Sequence, residues 1–313
     1  MYALGTFARP GEPSFPGLVI DQERVVDLSG YGWSSIRKLL QSWETAARVV
    51  EHLATGGGGT ALSELSTLAP LAPGQILQSG ANYRKHVMDI IVAEEQERGI
   101  MSREEALTMG ARIMDERIAG GEPYIFLGAS TAVTGPYDDV ILPVRGEQHD
   151  WELEVAAVIG VGGRRIPKHD ALSHVAGYTI ANDLTTRDLV YRRDLQAIGT
   201  DWLRSKNSPT FLPLGPWIVP SQFVADPQDL RITLRVDGEV MQDESTADMI
   251  FDVATLVSYA STLVALQPGD LILTGSPAGN GMHHRRFLKP GDVIESTVSG
   301  LGYQRNVCVS EQV

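Results

Sequence analysis

Apolar and polar positions alternate in short runs along most of this chain, and the alternation predicts strands far more often than helices. The runs Tyr124–Leu127, Val140–Leu142, Glu152–Gly160, Tyr178–Ala181, Trp217–Val219, Leu230–Val236, Asp270–Thr274 and Val293–Val298 each have strand length and β-branched or aromatic content. Asp237-Gly238 follows one of them and predicts a hairpin turn. Nearer the N-terminus, Leu18-Val19-Ile20 and Val25-Val26-Asp27-Leu28 flank a polar break, which predicts another hairpin. Helical spacing is rarer. It appears over Ser34–Leu53 and again over Ser102–Ala119, where Ser102-Arg103-Glu104-Glu105 has the form of a capping box. Ala111 joins Leu107, Met114 and Ile118 in one apolar stripe on that second helix.

Strands without regular helical crossovers predict an α+β fold and argue against a doubly wound sheet. Pro70 and Pro73-Gly74 mark a boundary, giving a small N-terminal α+β domain over 1–70 and a larger domain over 71–313. The run Thr55–Thr60 contains four consecutive glycines but no Gly-Lys-Ser/Thr follows, so it predicts a flexible loop and not a phosphate cradle. Gly160-Val161-Gly162 lacks the third glycine of a dinucleotide fingerprint. His283-His284, placed on a strand, would point in opposite directions, and one cysteine (Cys308) argues against structural zinc or an internal disulfide.

The charge balance narrows the partners. The 313 residues carry a formal net charge of −13, which disfavours nucleic acid and anionic membranes. No basic stretch followed by an apolar run opens the chain, and the most apolar stretch, Val253–Leu266, is too short and polar to span a bilayer. A cytoplasmic enzyme acting on a small molecule is the expectation.

Four segments could carry chemistry. In Asp150-Trp151-Glu152-Leu153-Glu154, a strand would project Glu152 and Glu154 from one face. That face could be merely wet, but it turns apolar at Ala156 and Val158; buried there, two carboxylates repel unless a cation lies between them. Asp183 ends an apolar strand-like run, where it could be delivered to a site or simply make an Asx turn or helix cap. His86 precedes Asp89 by three residues, so on a helix the carboxylate could orient the imidazole as a general base. The run Gly269–Gly281 brings Thr274 and Gly275 to a Gly-rich turn, able to offer a hydroxyl and backbone N–H groups to an oxyanion or needed only for a tight turn.

In their order, Gly80-Ala-Asn82-Tyr83-x-x-His86, Asp150-x-Glu152-x-Glu154, Gly177-Tyr178-x-x-Ala181-Asn182-Asp183, Arg187-Asp188, Lys206, Pro213–Trp217, Gly269-Asp270, Thr274–Pro277 and Phe287–Asp292 resemble the fumarylacetoacetate hydrolase superfamily over roughly residues 75–309. The resemblance implies a mixed β-roll or sandwich and a homodimer. It implies Mg²⁺ or Mn²⁺, with Ca²⁺ as a further hard cation, held by Glu152, Glu154 and Asp183. It makes His86, with Asp89 and Lys206, catalytic, and assigns Tyr83, Arg84, Thr274 and Gly275 to substrate binding. The implied reaction is C–C bond hydrolysis in a β-diketo or acylpyruvate-like acid from ring-cleavage catabolism. The alternatives are oxo-acid decarboxylation or isomerisation, and a silent ligand-binding member.

The chain also departs from the family pattern. Gly128 stands where a lysine is common, Asp89 where a glutamate follows the histidine, and Ser79 where members cleaving fumarylacetoacetate carry an acidic ligand. The segment 87–121 is longer than the usual lid, which suits cover for a larger ligand or a packing role at a dimer interface.

Overall fold

Burial on both faces defines the central strand, Leu153–Ile159, in the computed structural model, which describes residues 1–99, 101–192, 194–195, 197 and 199–312, the side chains of 93, 94 and 96–98 excepted. Its odd-numbered side chains (Leu153, Val155, Ala157, Ile159) join one apolar cluster, while Ala156 and Val158 join a second. A strand sandwiched between two layers carries no polar face, and so its sequence is almost continuously apolar.

Leu153–Ile159 pairs antiparallel with Val175–Asn182 on one side and with Leu271–Leu273 on the other. Beyond Leu271–Leu273 lie Ile76–Gly80, in parallel, and then the edge strand Tyr124–Gly128. In the other direction Val175–Asn182 pairs with Leu212–Pro220, which meets Tyr2–Ala8 of the N-terminal unit at Leu4↔Ile218. The predicted N-terminal hairpin forms as Phe15–Ile20 and Arg24–Asp27 and continues the same sheet.

A second, five-stranded sheet runs in the order Glu239–Ser245, Arg231–Val236, Val293–Val298, Gly302–Ser310 and Val140–Leu142. Its Ile232, Leu234, Ile294 and Val298 share the first cluster with the odd-numbered residues of the central strand. The result is the α+β fold that the strand-rich pattern predicts, in the mixed sandwich form that the family resemblance implies. Residues 1–70 pack their helices into the second cluster, where Ile36 and Leu39 lie with Ala156 and Leu214.

Several elements differ from expectation. The helical spacing over 34–53 is split into Ile36–Leu40 and Trp43–Ala54, because the chain turns at Gln41-Ser42. The helix Arg103–Gly120 has its capping box at Ser102 and Glu105, but its buried line runs through Ala106, Gly110 and Met114, and Ile118 is exposed. Gly110 faces Met88 and Ile91 of the preceding helix, Arg84–Arg98, and this close approach selects the buried line. Ile100, within the predicted lid segment, lies outside the described residues. His283 and His284 sit on a helical turn, Gly281–His284, with ring centroids 5.1 Å apart, and so do not point oppositely from a strand. Among the described residues no helix is long and apolar enough to cross a membrane.

Candidate metal centre

Antiparallel pairing of Leu153–Ile159 with Val175–Asn182 places Leu153 opposite Asn182, so Glu152 and Asp183 leave the sheet side by side. The Asp183 N–H donates to the Glu152 carbonyl at 2.8 Å, and the Asn182 side-chain oxygen accepts from the Glu152 N–H at 3.0 Å. Glu154, one strand position inward, is 1% exposed. One carboxylate oxygen from each of Glu152, Glu154 and Asp183 lies within 4.8 Å of the others. The structure thus gathers the three predicted metal ligands into one cluster.

Two buried cations face this cluster. Lys206, at the end of the helix Trp202–Lys206, donates to Glu152 at 2.6 Å, Asp183 at 2.7 Å and the Thr185 hydroxyl at 2.7 Å. Arg187 bridges Asp150 at 2.8 Å and Glu152 at 2.5 Å. Fully ionised, the four carboxylates Asp150, Glu152, Glu154 and Asp183 outnumber Lys206 and Arg187 by two negative charges, which a divalent cation would balance. Oxygen-only donors select hard cations such as Mg²⁺, Mn²⁺ or Ca²⁺, so the residues present fit the metal that the resemblance implies.

The proton affinities carry the same signature. Burial, reinforced by Asp183 and Glu152, pushes the Glu154 carboxyl well above the usual range. Burial also lifts Asp183 to about 6, against the pull of Lys206. Glu152 is buried too, but Arg187 and Lys206 outweigh that cost and hold it far below the usual range.

His86 lines the same cavity, of about 660 Å³, as Glu152, Asp183 and Lys206. Burial lowers its imidazole to about 4, Glu152 opposes the shift, and Arg187 and Lys206 deepen it. The ring is therefore neutral at physiological pH and able to accept a proton. Asp89 does not orient it: the Asp89 carboxylate is 3.6 Å from His283 Nδ1, and no hydrogen bond joins it to His86 among the described residues. The helix does place both residues, but its turn carries the short aspartate toward the 281–284 segment.

The four residues expected to bind substrate are not on the lining of this cavity. Tyr83 is fully buried in the main core. Arg84 pairs with Asp115 at 2.8 Å and so ties the two lid-segment helices together. Thr274 donates its hydroxyl to the Val155 carbonyl at 2.9 Å, and the Gly275 N–H donates to Glu154 at 2.7 Å. The Gly-rich turn therefore supports a metal-ligand candidate from behind. Gly275 has φ +86°, and a Cβ there would meet Asn82 and the Ser79 carbonyl at 3.0 Å.

Sequence reasoning assigned no role to Arg187, Asp150 or Gln78. Arg187 was present only as part of a motif, and its two carboxylate partners stand 35 and 37 residues away in sequence. Gln78, in a short strand that periodicity did not reveal, donates to Asp183 at 2.6 Å. Phe126 and Trp202 also line the cavity, with rings stacked at 4.8 Å and 16°.

Comparison with known proteins finds a matching family and several relatives. The fumarylacetoacetate (FAA) hydrolase C-terminal family matches residues 75–309. The mitochondrial oxaloacetate tautomerase FAHD2A of Bos taurus is 36% identical over 285 residues, 89% of this chain and 82% of its own. The 2,4-didehydro-3-deoxy-L-rhamnonate hydrolase of a Sphingomonas strain is 43% identical over 187 residues, 59% of this chain and 64% of its own. The crystallised fumarylacetoacetate hydrolase of Exiguobacterium antarcticum superposes with a TM-score of 0.77 at 28% identity, covering 99% of this chain and 100% of its own.

Proposed function

The chain belongs to the fumarylacetoacetate hydrolase family, and on that premise we propose that it is a divalent-metal enzyme moving the C3 proton of a small 2-oxo acid between keto and enol forms. The observation that carries this reading is the placing of His86, a neutral buried imidazole with no carboxylate hydrogen-bonded to it among the described residues, in one cavity with Glu152, Asp183 and Lys206. The lowered pKa leaves the imidazole unprotonated, and so open to accept a proton, across the physiological range.

Glu152, Glu154 and Asp183 would hold Mg²⁺ or Mn²⁺, and that cation, when bound, supplies Lewis-acid polarisation of the substrate's oxo group. His86 takes the proton from C3 and returns it. The Lys206 ammonium, fixed between Glu152 and Asp183, adds positive charge where the oxo oxygen becomes negative. Similarity to an oxaloacetate tautomerase over most of the chain supports this proton-transfer reading.

C–C bond hydrolysis is the second reading, favoured by the 43% identity to the rhamnonate hydrolase. There His86 would deprotonate water instead of carbon. Both reactions pass through an enolate, so one experiment separates them. Mg²⁺-loaded protein in D₂O should exchange C3 hydrogen of 2-oxo acids without consuming them. Carboxylate products carrying one ¹⁸O from labelled water would establish hydrolysis, CO₂ release would establish decarboxylation, and no exchange above the Mg²⁺ control would defeat the proposal.

A further inference from the structure

The cavity is unlike at its two ends. Its deep end holds Glu152, Asp183 and Lys206, all under a tenth exposed. Much of its remaining wall is apolar, with Gln148 and Asp188 as polar members: Val87 and Ile90 come from the helix Arg84–Arg98, Val190 from the segment after Arg187, and Phe126 and Trp202 form the stacked pair. The aromatic wall begins directly at the charged end, because Lys206 Nζ lies 6.0 Å from the Phe126 centroid and 5.9 Å from that of Trp202. Trp202 uses its single N–H on the Tyr124 hydroxyl at 2.6 Å and has no donor left for a ligand.

Charge in the cavity points the same way. Among the described residues, each lining Lys or Arg is committed to carboxylates: Arg187 to Asp150 and Glu152, Lys206 to Glu152 and Asp183. Asp188, also on the lining, is a carboxylate held by the backbone N–H groups of Glu147 and Gln148 at 3.1 and 3.2 Å. A substrate carrying a second carboxylate beyond C3 would meet that negative charge and two ring faces, with no uncommitted Lys or Arg among the described lining residues and only neutral donors such as Ser79 and Gln148. An apolar group there would gain burial and ring stacking.

Resting on the proposed oxo-acid chemistry, we infer that the physiological substrate carries an aromatic or extended apolar substituent at C3 in place of a second carboxylate. A matched pair of probes differs only in that group: phenylpyruvate and oxaloacetate. Calorimetry on the Mg²⁺-loaded protein should find phenylpyruvate bound roughly tenfold or more tightly than oxaloacetate, the scale on which an apolar pocket discriminates. Trp202→Ala should narrow that ratio, and so should the milder Phe126→Leu, which guards against a Trp202 variant that fails to fold. Equal affinities, tighter oxaloacetate, or a ratio unmoved in folded variants would overturn the inference. The C3 exchange of both probes is read in parallel. A correct affinity ratio without exchange would defeat the enolisation proposal alone, whereas exchange with the ratio reversed would defeat the substrate inference alone.

Discussion

The Asp89 carboxylate lies 3.6 Å from His283 Nδ1, which ties the helix Arg84–Arg98 to the helical turn Gly281–His284. That contact, and the absence of a hydrogen bond to His86 among the described residues, makes His86 a base without a carboxylate behind it. His283 is half exposed and Asp89 about a third, and at 3.6 Å no hydrogen bond joins them, so the Asp89–His283 pair is worth about 0–1 kcal/mol. Asp89→Asn should therefore lower kcat by no more than about fivefold, the equivalent of that energy. His86→Ala should lower it by about 10²–10⁴-fold, the range for losing a general base. Steady-state kinetics on the two variants, with Mg²⁺ affinity measured in each, checks the contrast. Equal losses would restore an Asp89-supported mechanism.

Each proposed ligand should be individually necessary for the metal. Glu152→Ala, Glu154→Ala and Asp183→Ala should each abolish tight Mg²⁺ or Mn²⁺ binding by calorimetric titration, since each removes one of three anionic oxygens. Glu154→Gln is the more telling variant. Its carboxyl is buried beside two others, so in the metal-free protein a neutral amide should cost little thermal stability while affinity is still lost. Unchanged affinity in all four variants would remove the site.

How much of this site was legible beforehand follows from where each signal resides. Glu152 and Glu154 are two apart on a run that turns apolar, and Ala156 and Val158 on that same face are fully buried, as is Glu154. The local pattern was enough there because strand periodicity and burial are local properties. Thr274, Gly275 and Arg84 were expected to face a ligand, whereas the structure pairs them with Val155, Glu154 and Asp115, which lie 31 to 121 residues away in sequence. Only tertiary pairing determines whether such a donor faces a ligand or a neighbour. The strand Ile76–Gly80 escaped notice for a related reason: five residues buried between two neighbours have no alternation to read.

Metal binding should release protons and strengthen with pH. In the metal-free protein Asp183 is raised to about 6 and Glu154 well above its usual range, so a cation must displace protons from them. A carboxyl raised in the folded state contributes stability that is lost as pH rises through the folded pKa. The neutral imidazole of His86 acts oppositely: its contribution is present above about 6.5 and lost as pH falls toward 4. The proton on Asp183 competes with the cation as pH falls through about 6. The thermal stabilisation given by saturating Mg²⁺ should therefore be larger at pH 7 than at pH 5, and calorimetry in buffers of different ionisation enthalpy should register proton release. Proton uptake on binding would contradict the assigned ligands.

Gly128 offers the sharpest test of what supports Asp183. It ends the edge strand Tyr124–Gly128 opposite Ile76, at the position where the family resemblance places a lysine. A Cβ at 128 would come within 2.7 Å of Gln78 Oε1 and 3.0 Å of its Cδ. Gln78 is 2% exposed and donates its Nε2 to Asp183 at 2.6 Å, so its amide cannot retreat without releasing that carboxylate. Gly128→Ala should accordingly weaken Mg²⁺ binding by about 10–100-fold, the usual effect of losing a residue that orients a metal ligand. Gln78→Ala should weaken it similarly by deleting the donor itself. Because both changes break the same hydrogen bond, the double variant should lose little more than either single one, a coupling that calorimetric Kd values around the cycle measure directly. Additive losses would show that Gly128 acts through its own backbone or packing, independently of the Gln78–Asp183 hydrogen bond.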